Sequence, residues 1–382
     1  MLRAAARTGK PERLVRDMLA RVGVTVNGRA PHDITVHDPG FYARVLRDGS
    51  LGVGESYMDG AWDCDRLDQL VYRVLAADAT QLFPRWQMVL AGLQVSLLKT
   101  QSLIGARRDI AAHYDLPARF FAKMLGRSMT YSCGYFSGGA ADLDAAQDAK
   151  HDLICRKLGL TAGDRVLDVG CGWGGFARYA AERIGCRIVG ITLSREQAEY
   201  ARGFCAGLPV EIQLADYRDP GVGGGGRFDK IVSVGMFEHV GRRFYPTFMR
   251  TMRGLLAEGG LMLLHTIGRA ASNPTDPWVA RYIFPGGMLP SMAELATALH
   301  GQLIVEDWHN FGADYDRTLM AWNANCEQHA ADDLARMGER FTRRWRFYLL
   351  AFAGNFRSRW RNQLWQLVLS PRGVPGGYRA AR

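Results

Sequence analysis

The sequence predicts an α/β chain in which a doubly wound, seven-stranded sheet covered by helices on both faces follows a smaller, mainly helical α+β unit. Three observations carry this prediction. From about residue 105, short apolar runs alternate with segments of helical period. One of those runs ends in a glycine turn that opens directly into a helix start, Val166-Leu167-Asp168-Val169-Gly170-Cys171-Gly172-Trp173-Gly174-Gly175-Phe176. The 382 residues, 48% apolar and 23% charged, are long enough for two domains and exclude a mostly disordered or a polytopic membrane chain.

Residues 1–100 read as one unit. Leu14, Val15, Met18, Leu19 and Val22 recur at helical spacing and stop at Gly23. Val24–Val26, the pair Asn27-Gly28 and Ile34–Val36 predict a small β-hairpin. Helical stretches follow around Phe41–Arg47 and Leu67–Ala76, separated by Gly52-Val53-Gly54-Glu55-Ser56-Tyr57-Met58-Asp59-Gly60. The apolar stretch Trp86–Leu98 is too short to span a bilayer, which takes about 20 residues. Lys99-Thr100-Gln101-Ser102 reads as a linker. Residues 101–382 then carry strands at Arg165–Val169, Arg187–Ile191, Val210–Leu214, Phe228–Val234, Leu261–His265, Leu303–Trp308 and Leu364–Leu369. Helices are predicted at Phe176–Ile184, Arg195–Ala206, Pro246–Leu256 and Ser291–His300.

The glycine turn admits two ligand classes. Glycines let backbone N–H groups at a helix N-terminus approach a ligand closely, and Gly170, Gly172 and Gly175 satisfy the dinucleotide pattern. A nicotinamide site wants an acidic residue closing the second strand to hold the ribose. That strand ends instead in Gly190-Ile191-Thr192-Leu193-Ser194, and the acid precedes the turn, at Asp168. This placement favours S-adenosylmethionine (SAM), a methyl donor, over a dinucleotide. The run Gly221–Gly226 leads into a strand with no Lys-Ser/Thr behind it, so it reads as a surface loop and not a phosphate cradle.

Seven further runs occur in order along the chain: Gly54–Gly60, Tyr131-Ser132-Cys133-Gly134-Tyr135-Phe136, Gly190–Gln197, Gly235-Met236-Phe237-Glu238-His239-Val240-Gly241, His265-Thr266-Ile267-Gly268, Tyr282-Ile283-Phe284-Pro285 and Asn310–Tyr315. With the glycine turn, they resemble the cyclopropane-fatty-acyl-phospholipid synthase family over nearly the full length. The resemblance implies a Rossmann-like SAM methyltransferase domain over 101–382, preceded by an N-terminal domain whose role, lipid presentation or subunit contact, it leaves open. It implies methylene addition across a cis double bond of a phospholipid acyl chain, with a bound bicarbonate ion as base. By that resemblance Cys133, Glu238, His265, the backbone of Ile267 and Tyr315 hold the ion. SAM would lie on Tyr131, Ser132, Asp168, Gly170, Gly172, Trp173 and Gly174, with Thr192, Leu193 and Gln197 beyond. Asp216 and Tyr217 would meet the adenine. Tyr135, Phe136 and Phe237 are candidates, by adjacency, to face a carbocation with an aromatic ring. The late run Tyr348-Leu349-Leu350-Ala351-Phe352-Ala353 departs from relatives that carry a cysteine there.

Charge and cysteine usage set the expected surroundings. Seven dispersed Cys, without CxxC or a His/Cys cluster, predict a reducing compartment, no disulfide framework and no metal. A basic N-terminus with no apolar core behind it predicts no secretory signal, hence a cytoplasmic chain. The formal charge of +10 resides entirely in the ten arginines from Arg340 onward, interleaved with Trp345, Phe347, Tyr348, Phe352, Phe356, Trp360 and Trp365. Such a tail suits an anionic bilayer surface, and equally a last helix and strand whose aromatics are core. The expected partner is a phospholipid bilayer at the inner face of the cell membrane, not nucleic acid, and the resemblance implies a homodimer. Two rival functions are a SAM-dependent lipid C-methyltransferase leaving a methyl branch and a nucleic-acid methyltransferase. The latter commonly shows (N/D/S)PP(Y/F) after its fourth strand, where this chain has Gly235-Met236-Phe237-Glu238.

Overall fold

The computed structural model describes residues 9–77, 117–358 and 362–382. The Trp86–Leu98 stretch, the linker at 99–102, Trp360 and the first residues of the chain lie outside the described residues. Nine strands are numbered in chain order: β1 Thr35–Val36, β2 Trp62–Asp63, β3 Arg165–Val169, β4 Arg187–Thr192, β5 Val210–Leu214, β6 Phe228–Val234, β7 Leu256–Arg269, β8 Ile304–Asn310 and β9 Asn362–Ser370. The last seven form one sheet in the order β5-β4-β3-β6-β7-β9-β8. The five strands from β5 to β7 are parallel, while β9 runs antiparallel between β7 and β8. All seven sequence-predicted strands therefore form. The order reverses between β3 and β6, which opens a crevice at their C-terminal ends, the usual ligand position in an open α/β sheet.

The helices start where their capping chemistry says they should. Asp142 accepts from the Ala145 amide at the head of Leu143–Leu158, and Ser194 does the same for Gln197 ahead of Arg195–Phe204. Ser291 and Glu294 close a reciprocal capping box at Met292–Leu299.

Two N-terminal expectations change. The hairpin does not form: Val26 and Ile34 make a single parallel bridge, and Thr35–Val36 pairs instead with Trp62–Asp63. The connecting residues 27–33 are held as a loop of their own, in which the Asp33 carboxylate accepts from Thr25 and Ala30 and the Asn27 side chain from Val36. Between the two predicted helices lies a third, Ser50–Met58, in spite of its glycines. Gly54 is needed there, because a Cβ would sit 2.3 Å from the Trp278 ring. Tertiary packing overrides propensity at this helix.

The basic aromatic tail is core. Trp345, Phe347, Tyr348, Phe356 and Trp365 are buried, most of them in one cluster with Tyr57, Trp62 and Leu67 of the N-terminal residues. Several of its described arginines pair within the chain: Arg343 on Asp63, Arg340 on Asp59, Arg357 on both Asp68 and Asp316, and Arg382 on Asp307. Part of the tail's positive charge is thus compensated within the chain. No helix among the described residues is long and apolar enough to cross a membrane.

Candidate active site

A cleft opens at the crevice between β3 and β6. Its walls are Tyr131, Ser132, Asp168, Gly170, Gly172, Trp173, Thr192, Leu193, Gln197, Asp216 and Tyr217, eleven of the twelve residues read from sequence as donor contacts. Gly174 is the exception; at φ 89° it packs the turn toward Ala201 and Cys205. Gly170 is positioned by its backbone: φ is 82°, and a Cβ would lie 2.6 Å from Met236 across the crevice. Asp168 is buried beneath the turn with Oδ2 unpartnered, and burial raises its pKa to about 7 against the opposing pull of Lys150. Thr192 donates to Gln197 Oε1 at 2.8 Å, tying the end of β4 to the next helix. Arg218 grips Asp216 through both carboxylate oxygens at 2.7 Å and lies over the Tyr217 ring. A buried unpartnered carboxylate oxygen under a glycine cradle fits a ligand with a cationic amino-acid end, as SAM has.

None of the five residues assigned to the ion lines this cleft, although Cys133 follows Ser132 in the chain and Glu238 lies between Met236 and His239, which do. Glu238 follows β6 in a short turn and accepts from the Ile267 amide at 2.7 Å, leaving Oε2 buried and unpartnered. Burial raises its pKa to about 7, so the carboxyl group holds its proton up to near neutrality. His265 stands on β7, directly paired in register with Gln366 of β9. The Gln366 amide faces His265 Nδ1 at 3.3 Å, so Nδ1 accepts and the proton sits on Nε2, a second buried unpartnered atom. Burial with nearby Lys150 and Lys157 keeps the imidazole neutral. Cys133 is fully buried, its thiol pushed well above its ordinary pKa by burial, which leaves no thiolate nucleophile. Tyr315 packs on Phe356 at 4.5 Å. The Ile267 amide is the donor to that Glu238 oxygen. Of the ring candidates, Phe237 is stacked on Tyr245 at 4.4 Å and Phe136 carries the Arg317 guanidinium at 4.2 Å, so one face of each is already taken.

Several residues escaped the sequence reading. His239 lines the cleft, where burial lowers its pKa to about 4. Asp314 accepts from the Phe136 and Ser137 amides at 2.7 and 2.8 Å, and Thr318 accepts from Gly134 at 3.0 Å, anchoring the Cys133 segment to the helix Ala313–His329 that carries Tyr315. Lys150 and Gln147 reach the same segment from the helix Leu143–Leu158. A polar residue inside a helical period ordinarily reads as a solvated face, so no local signal marked them.

The comparisons agree with this geometry. The family model described as mycolic acid cyclopropane synthetase matches residues 101–367. The chain is 45% identical over 377 residues to the cyclopropane-fatty-acyl-phospholipid synthase of Escherichia coli K12, spanning 97% of this chain and 96% of that protein. It is 36% identical over 399 residues to the tuberculostearic acid methyltransferase UfaA1 of Mycobacterium tuberculosis, covering 98% and 91%. The solved structure of the mycolic acid cyclopropane synthase CmaA1 complexed with SAH and CTAB superposes with a TM-score of 0.63 at 32% identity, covering 71% of this chain and 99% of that one. A switch-point cleft with the acid before the glycine turn, and this agreement across nearly the whole length, place the chain in the mycolic acid cyclopropane synthetase family, as an enzyme of the SAM-dependent methyltransferase class.

Proposed function

We propose that this enzyme adds a methylene carbon from SAM across the cis double bond of an unsaturated phospholipid acyl chain, closing a cyclopropane ring. One observation carries the reading: directly behind the donor cleft stand a carboxyl and an imidazole, Glu238 and His265, each presenting a buried polar atom that no protein group satisfies. Ring closure requires one proton to leave the transferred carbon, and a buried carboxyl and imidazole can hold and orient the group that accepts it.

SAM supplies the electrophilic methyl group. The alkene is a weak nucleophile, so the chain's own task is to hold it in line and dry; positioning of this kind supplies roughly 7–11 kcal/mol of barrier reduction. Burial of Glu238, His265 and Cys133 excludes water from the carbocation that forms on the acyl chain. The two unpartnered atoms fit a small oxyanion. Glu238 Oε2, His265 Nε2, Tyr315 and Cys133 would hold a bicarbonate ion there, and the ion would supply a weak base. A neutral His265 with its proton on Nε2 donates to such an oxygen, and the Glu238 carboxyl either donates or accepts.

Within this reading residues 1–100 are an N-terminal domain and 101–382 the catalytic one, and the shared packing of Tyr57, Trp62 and Phe347 supports their acting as one body. The phospholipid substrate draws support from the Escherichia coli relative, and action at a bilayer surface and a homodimer belong to the same proposal. The test is gas chromatography of fatty acids from unsaturated phosphatidylglycerol vesicles incubated with enzyme, SAM and bicarbonate. Cyclopropane acyl chains are expected. A methyl-branched product alone would replace this reading with the chemistry named for the tuberculostearic acid relative. Unchanged turnover after rigorous removal of carbon dioxide and bicarbonate would discard the ion.

A further inference from the structure

The helix Leu143–Leu158 turns three polar side chains, Gln147, Lys150 and His151, inward at successive i, i+3 and i+4 positions. All three are buried, and all three reach the stretch Thr130–Ser132, which forms one wall of the donor cleft. The Gln147 amide donates to the Ser132 carbonyl at 2.8 Å and to the Thr130 carbonyl at 3.4 Å. Lys150 Nζ donates to Gln147 Oε1 at 2.6 Å and to Ser132 Oγ at 2.8 Å. His151 Nε2 meets Thr130 Oγ1 at 3.4 Å.

Hydrogen-bond valence gives this cluster a direction. Burial lowers the Lys150 pKa to about 7, and in its ammonium form below that value the group has three donors and no acceptor, so the hydroxyl oxygen it meets must accept. Ser132 Oγ is thereby taken as an acceptor by Lys150, and its own O–H is left to donate on the cleft side. We propose that Lys150 is a positioning residue that fixes the Ser132 hydroxyl as a donor into the cleft, aimed at the carboxylate on the amino-acid end of SAM, and that Gln147 locks the backbone on which that hydroxyl rides. The inference rests on the donor reading of the cleft. It gives Lys150, whose charge also bears on Asp168 and His265, a separate role at the cleft wall.

Isothermal titration of the full-length chain with SAH tests it. Lys150→Met and Ser132→Ala should each weaken SAH binding about tenfold, the scale of one charge-assisted hydrogen bond. The double variant should bind no more weakly than the weaker single one, because both substitutions remove the same donor. KM for SAM should rise in step with the loss of SAH affinity while KM for lipid vesicles holds, a split that a general loss of packing would not produce. Wild-type SAH affinity in folded Lys150→Met overturns the proposal, and so do losses that multiply in the double variant. Should Lys150→Met not accumulate as folded protein, Ser132→Ala and Gln147→Leu decide: full SAH affinity in both overturns the proposal, and a loss in both sustains it. Failure of the wild-type chain itself to bind SAH would bring down the donor reading, and this inference with it.

Discussion

The donor cleft and the buried acid–imidazole core are neighbours built on opposite plans. Most of the cleft wall comes from the ends of parallel strands, Asp168–Trp173 at β3, Thr192–Leu193 at β4, Asp216–Tyr217 after β5 and Gly235–Met236 after β6, with Thr130–Ser132 added from outside the sheet. Pairing of the strands is enough to bring these walls together, and much of what they present is backbone. The core takes Cys133 from an irregular segment, Glu238 from a turn, His265 from β7 and Tyr315 from a helix. It is held by side-chain bonds from Gln366, Thr318 and Asp314. A site made of strand ends is vulnerable chiefly to backbone change. A site made of converging side chains is vulnerable to the loss of any one atom in it.

The largest effect should come from breaking the core alone. Glu238→Gln keeps the shape and can still accept from Ile267, yet it removes a titratable carboxyl; turnover should fall by about 10²–10⁴-fold. SAH affinity should stay near wild type, and a comparable collapse of SAH binding would show that Glu238 belongs to the cleft.

The converse break is Gly170→Ala, which forces a Cβ onto Met236 at a positive φ. Strain of about 1–3 kcal/mol at such a position corresponds to SAH binding weakened roughly 5- to 150-fold. The packing around Glu238 should survive, as judged by near-ultraviolet circular dichroism; SAH binding as tight as wild type would contradict the close approach.

The pH dependence of stability sharpens the contrast further. Burial raises the Glu238 pKa from 4.5 to about 7, so between those values the folded state binds a proton that the unfolded state has released. The resulting stabilisation is complete below about pH 4.5 and is lost as the pH rises through about 7. Glu238→Gln lacks this term, while Asp168, shifted in the same direction, is common to both proteins. Denaturant unfolding should therefore show wild type losing on the order of 1–3 kcal/mol relative to the variant across that window. Parallel stability curves for the two proteins would mean that the carboxyl is solvated.

The smallest expected change is at Gln366. Gln366→Leu removes the donor that holds His265 Nδ1 as an acceptor, and turnover should drop by about fivefold to tenfold, one neutral hydrogen bond. Nitrogen-15 shifts of the His265 ring would report the lost tautomer preference, and a ring that titrates and protonates as before would remove Gln366 from the site.

Legibility in the sequence followed the same divide. The seven strands and the crevice could be read because apolar periodicity, the glycine turn and the placement of Asp168 are local patterns, whereas the eleven residues that line the cleft were named through the family resemblance. The helix Ser50–Met58 was hidden because Gly54 answers to Trp278, more than 200 positions away. The tail left two readings open, a lipid-facing patch or a buried last helix and strand, because partners of its arginines such as Asp59, Asp63 and Asp68 lie near the other end of the chain. The hairpin was misread because Asn27-Gly28 signals a turn without specifying which strand receives the next residues.

The amino-acid order alone thus determined the α/β layering, the ligand crevice and the family, since each depends on hydrophobic period, turn chemistry and motifs that are contiguous in the chain. Tertiary structure alone decided which buried polar atoms go unsatisfied beside that crevice, that the basic tail folds back as core, and that Lys150 lies under Ser132. Those outcomes depend on hydrogen-bond valence and desolvation at contacts between distant segments, and neither quantity exists until the segments meet.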